Sequence, residues 1–407
     1  MATVQTRCCV AGGGPAGLMT GYLLARAGVD VVVLEKHADF LRDFRGDTVH
    51  PSTLEIMNEL GLLDRFLALP HQKVPQLSAQ FGNTSMKIAD FSHLPVREKY
   101  IALMPQWDFL NFLAEEAARF PSFRLHMNTE ATGLVTEAGN VVGVRTRTAE
   151  GEAGEVRADL VIAADGRASV LREDAGLGIV DIGAPMDALW FRLPALPSDT
   201  GDTMGRFGAG TVLVLLYRGD YWQCAFVIPK GEFERIEAEG LEAFRTRIAK
   251  ASPFEAARMD AIQTWDDVKL LTVRVDRLAQ WSKPGFLAIG DAAHAMSPIG
   301  GVGVNLAVQD AVAAANSLAE PLLANAVTME DLEAVQTRRS FPTRITQRLQ
   351  VIAQNRIVAP ALRRREAPKP PLIVRLMQSL PLLQRIPARL VGLGIRPEHV
   401  SQFIRDR

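Results

Sequence analysis

Gly12-Gly13-Gly14-Pro15-Ala16-Gly17, close to the N-terminus, have the types and spacing to hold a phosphate. In G-x-G-x-x-G the first glycine permits a tight turn and the second lets a pyrophosphate approach the backbone. The third lets a helix pack closely on the preceding strand. The N-terminus of that helix adds free N–H groups and a positive dipole end. Glu35 stands 23 positions after Gly12. A carboxylate there accepts hydrogen bonds from ribose hydroxyls and repels a 2′-phosphate, which fits FAD or NAD and not NADP. A second glycine-rich turn lies far downstream: Gly290-Asp291-Ala292-Ala293-His294, then Pro298, Gly300, Gly301, Gly303 and Asn305. Asp291 suits a ribityl hydroxyl, and the turn offers N–H groups to a flavin edge where charge develops on reduction. A third cluster, Asp165-Gly166 with Arg167, Ser169 and Arg172, lies between them.

The elements that must position these residues are readable. Arg7–Ala11 is a short apolar run ending at the first turn. Leu18, Tyr22, Leu23 and Ala27 then recur at helical spacing, with Gly28 as the helix stop. Val31–Leu34 reads as a second buried strand, and Phe286–Ile289 as another, ahead of a helical pattern from Leu306 past Asp310. Met186–Leu193, Gly210–Tyr217 and Trp222–Ile228 are β-rich runs, and Phe233–Ala249 has the period of one amphipathic helix.

GGGPAG with Glu35, ADLVIAADGRASVLR and GDAAHAMSPIGGVGVNLAVQDA together resemble the three fingerprints of class A flavoprotein monooxygenases, the para-hydroxybenzoate and phenol hydroxylase-like enzymes. The resemblance runs over residues 1 to about 350, in the family's order. It implies an α/β fold: a glutathione-reductase-like, FAD-binding Rossmann domain (residues 1–70, 98–180 and 268–350). An inserted antiparallel β-sheet substrate domain (71–97 and 181–267) and a helical C-terminal tail (351–407) complete it. It implies noncovalent FAD, with NADH or NADPH as a transient co-substrate met without a nicotinamide fold of its own. The implied reaction is hydroxylation of an aromatic small molecule by O₂ through a flavin C4a-hydroperoxide. The cofactor-binding residues carried over are Gly12, Gly14, Pro15, Ala16, Gly17, Glu35, Lys36, Arg45, Gln106, Asp165, Asp291, Gly301, Gly303, Val304 and Asn305. Asp47, His50 and Pro298 fall where the family does its chemistry. For Asp47 the competing reading is a loop carboxylate paired with Arg45; for His50 it is a cap on the following helix. Val302 departs from the longer polar residue that many members carry. Longer members also carry a thioredoxin-like extra domain, which is not expected here.

Trp190, Arg192, Tyr217, Trp222 and Cys224 are the candidate substrate residues. Aromatic residues on strands are usually core, so one or two of them are expected to touch substrate. Cys224 reads equally as core. His294 reads as structural, because the other histidines show no metal-ligand spacing and no metal is expected.

Lys plus Arg is 45 and Asp plus Glu is 46, a balance that argues against nucleic-acid binding. Three cysteines give no disulfide framework, and no signal peptide or membrane span is read, so a cytoplasmic monomer or homodimer is expected. From Arg356 onward eleven basic residues stand against three acids, a net of +8, against −9 for the remainder. Such a basic amphipathic segment allows weak contact with a membrane surface, but packing of its apolar residues on the FAD domain is the favoured expectation. Rival functions are an FAD-dependent reductase or dehydrogenase, a halogenase, and a non-catalytic flavoprotein that sequesters an aromatic ligand. The halogenase signature W-x-W-x-I-P is missing, because Trp222 and Pro229 frame only W-x-x-x-F-V-I-P.

Overall fold

Strands covered on both faces read as unbroken apolar runs, and four such runs set the first sheet. Cys8–Ala11, Val31–Leu34, Leu160–Ala163 and Phe286–Ala288 are almost wholly shut off from solvent. The computed structural model describes residues 3–41, 48–199, 203–366 and 368–407. In it, strands Phe286–Ala288, Ala153–Ala163, Thr3–Ala11, Val31–Leu34 and Phe123–His126 lie side by side and parallel, in that order. An antiparallel pair, Thr129–Glu137 and Asn140–Thr148, extends from the long Ala153–Ala163 strand. Helices Pro15–Arg26 and Gly303–Leu323 pack on one another and on this sheet, in the largest apolar core.

The second sheet runs Lys269–Leu271, Met186–Pro194, Tyr221–Pro229, Thr211–Tyr217, Met204–Gly208, Gln76–Phe81, Thr84–Asp90. All its pairings are antiparallel except that of Met204–Gly208 with Gln76–Phe81. Lys269–Leu271 thus belongs to the second sheet, although the sequence reading assigned it to the first. The register sets Leu189, Phe191 and Leu193 opposite Phe226, Cys224 and Trp222. These side chains share one face, which is buried under helices Phe233–Ala238 and Leu241–Ala251. Those two helices replace the single one expected, because Gly240 between them takes φ 92°, a left-handed turn that a side chain resists.

The C-terminal segment also departs from expectation. The Met329–Ala353 helix does not stop near residue 350; it continues through one π-helical stretch, Gln354–Val358, into Ala359–Arg363. From there the chain packs mainly on the second sheet and not on the first. Val358 and Ala361 meet Met186, Val212 and Val227, and Val374 meets Ala79, Phe81 and Met86. Ala388 and Leu393 join Val74, Phe91, Leu94 and Ile101. Only the last residues return to the main core, through Val400 and Ile404. No helix among the described residues is long and apolar enough to cross a membrane.

One buried charge network binds these pieces. Asp310, fully buried in the Gly303–Leu323 helix, accepts from the Gly290 N–H (3.0 Å) and from Arg339 Nε (2.9 Å), and lies 2.6 Å from His294 Nε2. Burial by itself would raise the Asp310 carboxyl, but His294 and Arg339 more than offset it and hold it below the usual range. Arg339 is itself fully buried and reaches Glu398 (3.1 Å). Removing one partner from a buried pair strands the other charge. Arg339→Met should therefore destabilise the fold by about 3–5 kcal/mol, read as a lowered urea midpoint with an unchanged slope.

Candidate functional site

The first turn has a geometry that admits only glycine at two points. Gly12 has φ 110°, and a Cβ on it would stand 2.3 Å from the Ala164 carbonyl oxygen. A Cβ on Gly17 would stand 1.8 Å from the Gly12 carbonyl oxygen, so the helix can sit on the turn only without a side chain there. A Cβ on Gly14, by contrast, would meet no atom within 4 Å, and that open side faces a cleft of about 590 Å³. Pro15 opens the helix, with no acid in its first turn. Ala16 is buried against Gly290, where an added Cβ would lie 2.9 Å from the alanine's own.

The cleft gathers Gly12, Gly14, Glu35, Lys36, Gln106, Asp165 and Trp190, from both sheets. Glu35 follows the Val31–Leu34 strand and is 8% exposed. Its Oε2 accepts from the Gly13 N–H and its Oε1 from the His37 N–H, both at 3.0 Å. The carboxylate therefore clamps the glycine turn as well as facing the cleft. Gln106 opens the Gln106–Ala117 helix, which places it on the cleft wall. Asp165 follows the Ala153–Ala163 strand; burial raises its carboxyl above the usual range, against hydrogen bonds that lower it. Its Oδ1 is buried with no partner, so it points to a donor that the protein alone does not supply.

The third cluster clamps the second glycine-rich turn. Arg167 Nε donates to Asp291 Oδ2 (2.8 Å). The nearly inaccessible Arg172 donates to the Ala292 carbonyl (3.2 Å) and to its own chain at Arg167 (2.6 Å). Beyond Asp291, Gly301, Gly303, Val304 and Asn305 open the next helix. Asn305 holds this helix to the strand of Thr48 and Val49: its Oδ1 accepts from the His50 N–H (2.8 Å) and the Thr53 hydroxyl (2.7 Å). Its amide nitrogen reaches the Thr48 carbonyl (3.3 Å). Thr48 in turn donates to the Gly301 carbonyl (2.8 Å). Pro298 is half-buried, and its carbonyl accepts from the Gly301 N–H. Val302 turns into a small apolar cluster with Met296 and Leu306.

His50 is the N-cap of the Pro51–Glu59 helix, as the cap reading expects, but through its backbone carbonyl, and its ring makes no cap bond. The ring is fully buried, and Nδ1 donates to the Val391 carbonyl of the C-terminal segment (2.7 Å). With the proton on Nδ1, Nε2 carries the lone pair, and it is buried with no partner. Burial pushes the imidazole down to about 4, against the Val391 bond that raises it, so the ring is neutral at pH 7.

Three of the candidate substrate residues are not at the cleft. Tyr217, Trp222 and Cys224 lie on the face under the helices, where Tyr217 and Trp222 have ring centroids 5.1 Å apart and Cys224 is fully buried. Side chains alternate along a strand, so Trp190 faces the cleft while Phe191 and its partner Cys224 face away. Arg192 shares the face of Trp190 and lies 4.8 Å from the Tyr221 ring. Arg45 and Asp47 lie outside the described residues.

The sequence reading overlooked the supports behind the site. Gln350 accepts from the Ser297 N–H and donates to the Ser297 and Ile299 carbonyls, while Gln354 donates to the Ser297 hydroxyl (2.7 Å). Gln347 donates to the Ala295 carbonyl (3.1 Å). These glutamines, spaced i, i+3, i+7, hold both sides of Pro298; amides on one buried helix face were the available signal. Asp310 had one too, as the only Asp, Glu, Lys or Arg between Ala295 and Ala319.

His50 makes stability depend on pH in a definite direction. Its folded value lies below the unfolded one of about 6.5, so the unfolded chain binds more protons in the window from there down to about 4. The contribution is complete above that window and lost as pH falls through it, up to about 3 kcal/mol. Unfolding by urea at several pH values should show this slope in the parent and a flatter one in His50→Gln.

Residues 5–349 match the family model described as "FAD binding domain". The chain is 33% identical over 350 residues to 6-methylpretetramide 4-monooxygenase of Streptomyces rimosus, covering 86% of this chain and 83% of that protein. It is 30% identical over 333 residues to rifampicin monooxygenase of Rhodococcus hoagii, covering 74% of this chain and 61% of that longer protein. The fold matches the crystal structure of p-nitrophenol 4-monooxygenase of Pseudomonas putida with a TM-score of 0.74 and 22% identity, over 97% of this chain and 100% of the other. The chain belongs to this family, that of the class A FAD-dependent aromatic monooxygenases.

Proposed function

We propose that this enzyme uses NAD(P)H and O₂ to hydroxylate a fused-ring phenolic small molecule. The observation that carries the reading is one fixed frame: the cleft of Gly12, Glu35, Gln106 and Asp165 is tied by Arg167 to Asp291, and Asn305 ties Gly301 to His50. The residues fit FAD. Gly14 leaves room for a pyrophosphate, Glu35 and Asp291 suit ribose and ribityl hydroxyls, and Asp165 Oδ1 lacks a partner. The first sheet with its helices would be the FAD domain and the second sheet the substrate domain. Three free, buried cysteines suit a reducing cytoplasm. The fused-ring substrate class is supported by the relative that acts on 6-methylpretetramide.

FAD held by Gly12, Gly14, Glu35 and Asp291 would supply the redox chemistry between NAD(P)H and O₂, by which one oxygen atom enters the ring and the other leaves as water. The chain supplies the positions and the proton handling. Neutral His50 is a hydrogen-bond acceptor at Nε2, so it would orient a phenol hydroxyl and polarise its O–H bond, which makes the ring carbon more nucleophilic. The N-terminus of the Gly303–Leu323 helix would favour negative charge on a flavin edge held at the Gly301–Asn305 turn. The C-terminal segment, from Val391 to Leu393, excludes water from His50 by packing against it and against the second sheet.

Oxygen consumption driven by NADH or NADPH should be stimulated by fused-ring phenols more than by single-ring ones, with a product that gains one oxygen atom. Stimulation without oxygenated product, by every phenol tried, would refute the hydroxylase reading and leave a reductase. Glu35→Ala should weaken FAD binding about 10- to 100-fold, because it removes charge-assisted bonds to ribose and frees the Gly13 turn. Fluorescence titration reads this, with Glu35→Gln expected to fall between. His50→Leu should retain FAD and NADH oxidation but lower the product formed per NADH consumed, the remainder appearing as H₂O₂.

A further inference from the structure

The C-terminal segment leaves an apolar surface uncovered. Six of the sixteen exposed large hydrophobic side chains fall within residues 372–386: Leu372, Ile373, Leu376, Leu380, Leu382 and Ile386. Leu372 is 79% exposed and Leu382 is 66% exposed. The favoured expectation packs the tail's apolar residues on the FAD domain, and these six are left facing outward instead. In the Leu372–Ser379 helix and the residue after it, the exposed positions 372, 373, 376 and 380 form one stripe about 100° wide. The opposite side holds Val374 in the core and anchors Gln378 to the Lys87 carbonyl (2.9 Å). In the Arg385–Gly392 helix, Ile386 is exposed while Ala388 and Gly392 are buried against the second sheet. Both helices are therefore docked on the protein by one face and amphipathic by design of the other.

The charge around this surface is of one sign. From Glu366 to Glu398 no acid intervenes, while Lys369, Arg375, Arg385, Arg389 and Arg396 do. Lys369, Arg375, Arg385, Arg389 and Arg396 are all exposed, and none has a carboxylate partner within 4.0 Å among the described residues. A second copy of the chain would set these cations against their own kind, whereas an anionic bilayer answers both features: its headgroups meet the arginines and its acyl boundary takes the leucines.

We propose that residues 369–389 dock this enzyme reversibly on anionic membrane surfaces, lying in the interface without crossing it. The insertion is shallow, since the Leu372–Ser379 and Arg385–Gly392 helices stay anchored to the second sheet through Val374, Ala388 and Leu393. The docked face belongs to the segment whose Val391 carbonyl holds His50, so the membrane would lie beside the covered site.

Co-sedimentation of the FAD-loaded enzyme with phosphatidylglycerol-containing vesicles, against pure phosphatidylcholine, tests this. Binding is expected to the anionic vesicles and to weaken as salt is raised. Leu376→Ser with Ile386→Ser should abolish it. The triple variant Arg375→Gln, Arg385→Gln, Arg389→Gln should weaken it roughly a hundredfold. All these side chains are exposed, so FAD absorbance and NADH oxidation should stay at parental levels, confirming the fold. No binding to anionic vesicles, or binding that survives the serine substitutions, would overturn the proposal. So would a concentration-dependent dimer in analytical ultracentrifugation that the serine substitutions dissolve. Hydroxylation of a soluble substrate is measured without vesicles, so neither result bears on the proposed reaction.

Discussion

A carboxylate without access to water must be given its partners by the protein, and Asp310 receives them from two separate segments, the turn of Gly290 and His294 and the helix of Arg339. Gly290, His294 and Arg339 occupy both of its oxygens at 2.6–3.0 Å. An unpaired buried charge would cost several kcal/mol, so neither of these segments can drift without breaking the balance. The consequence falls on Asp291, the next residue after Gly290, whose position is fixed behind by Asp310 and in front by Arg167. Arg339 carries the same constraint outward to Glu398 and to the Arg396 carbonyl, which ties the end of the chain to the second glycine-rich turn.

The rest of the site is arranged around that fixed turn. Asn305, one helical turn and a half before Asp310 on the same helix, brings Thr48 and His50 to it. From the other side, the glutamines of the Met329–Ala353 helix and the residue that follows it hold Ser297 and Ile299, so that Pro298 sits between two pinned neighbours. The second sheet contributes Trp190 to the cleft wall and turns its other face to its own helices. Two sheets with separate cores thus meet over one cleft, whose wall combines side chains of both.

Features fixed by local backbone chemistry were legible in the sequence. The glycine spacing read correctly as a turn because Gly12 and Gly17 have no room for a Cβ, a restriction expressed within six residues. Buried parallel strands were legible for the same kind of reason, since a strand covered on both faces needs an unbroken apolar run. Which face of a strand meets the cleft was not legible. Shifting the parity by one residue exchanges every side chain between faces, and Trp222 and Cys224 are as apolar as a pocket wall would be. The partner of His50 was equally hidden, because Val391 is 341 residues away. Asp310 and Arg339 lie closer, but nothing local says that a lone acid on an apolar helix will meet an arginine on the next.

The C-terminal segment joins stability to chemistry at a single ring. Were His50 exposed, water would hydrate either nitrogen and the ring would take a proton below about pH 6.5. Instead the Val391 carbonyl accepts a hydrogen bond from Nδ1–H and burial disfavours the cation, so the same contact that seats the segment also leaves the lone pair on Nε2. Gln309 adds a second fastening, donating to the Leu393 carbonyl (3.4 Å) from the helix that carries Asn305 and Asp310. Docking of this segment and neutrality of His50 are therefore linked equilibria: loosening that opens the ring to water removes the burial that disfavours the cation, the larger effect, along with the Val391 bond that favours it, so a proton on His50 loosens the segment in return.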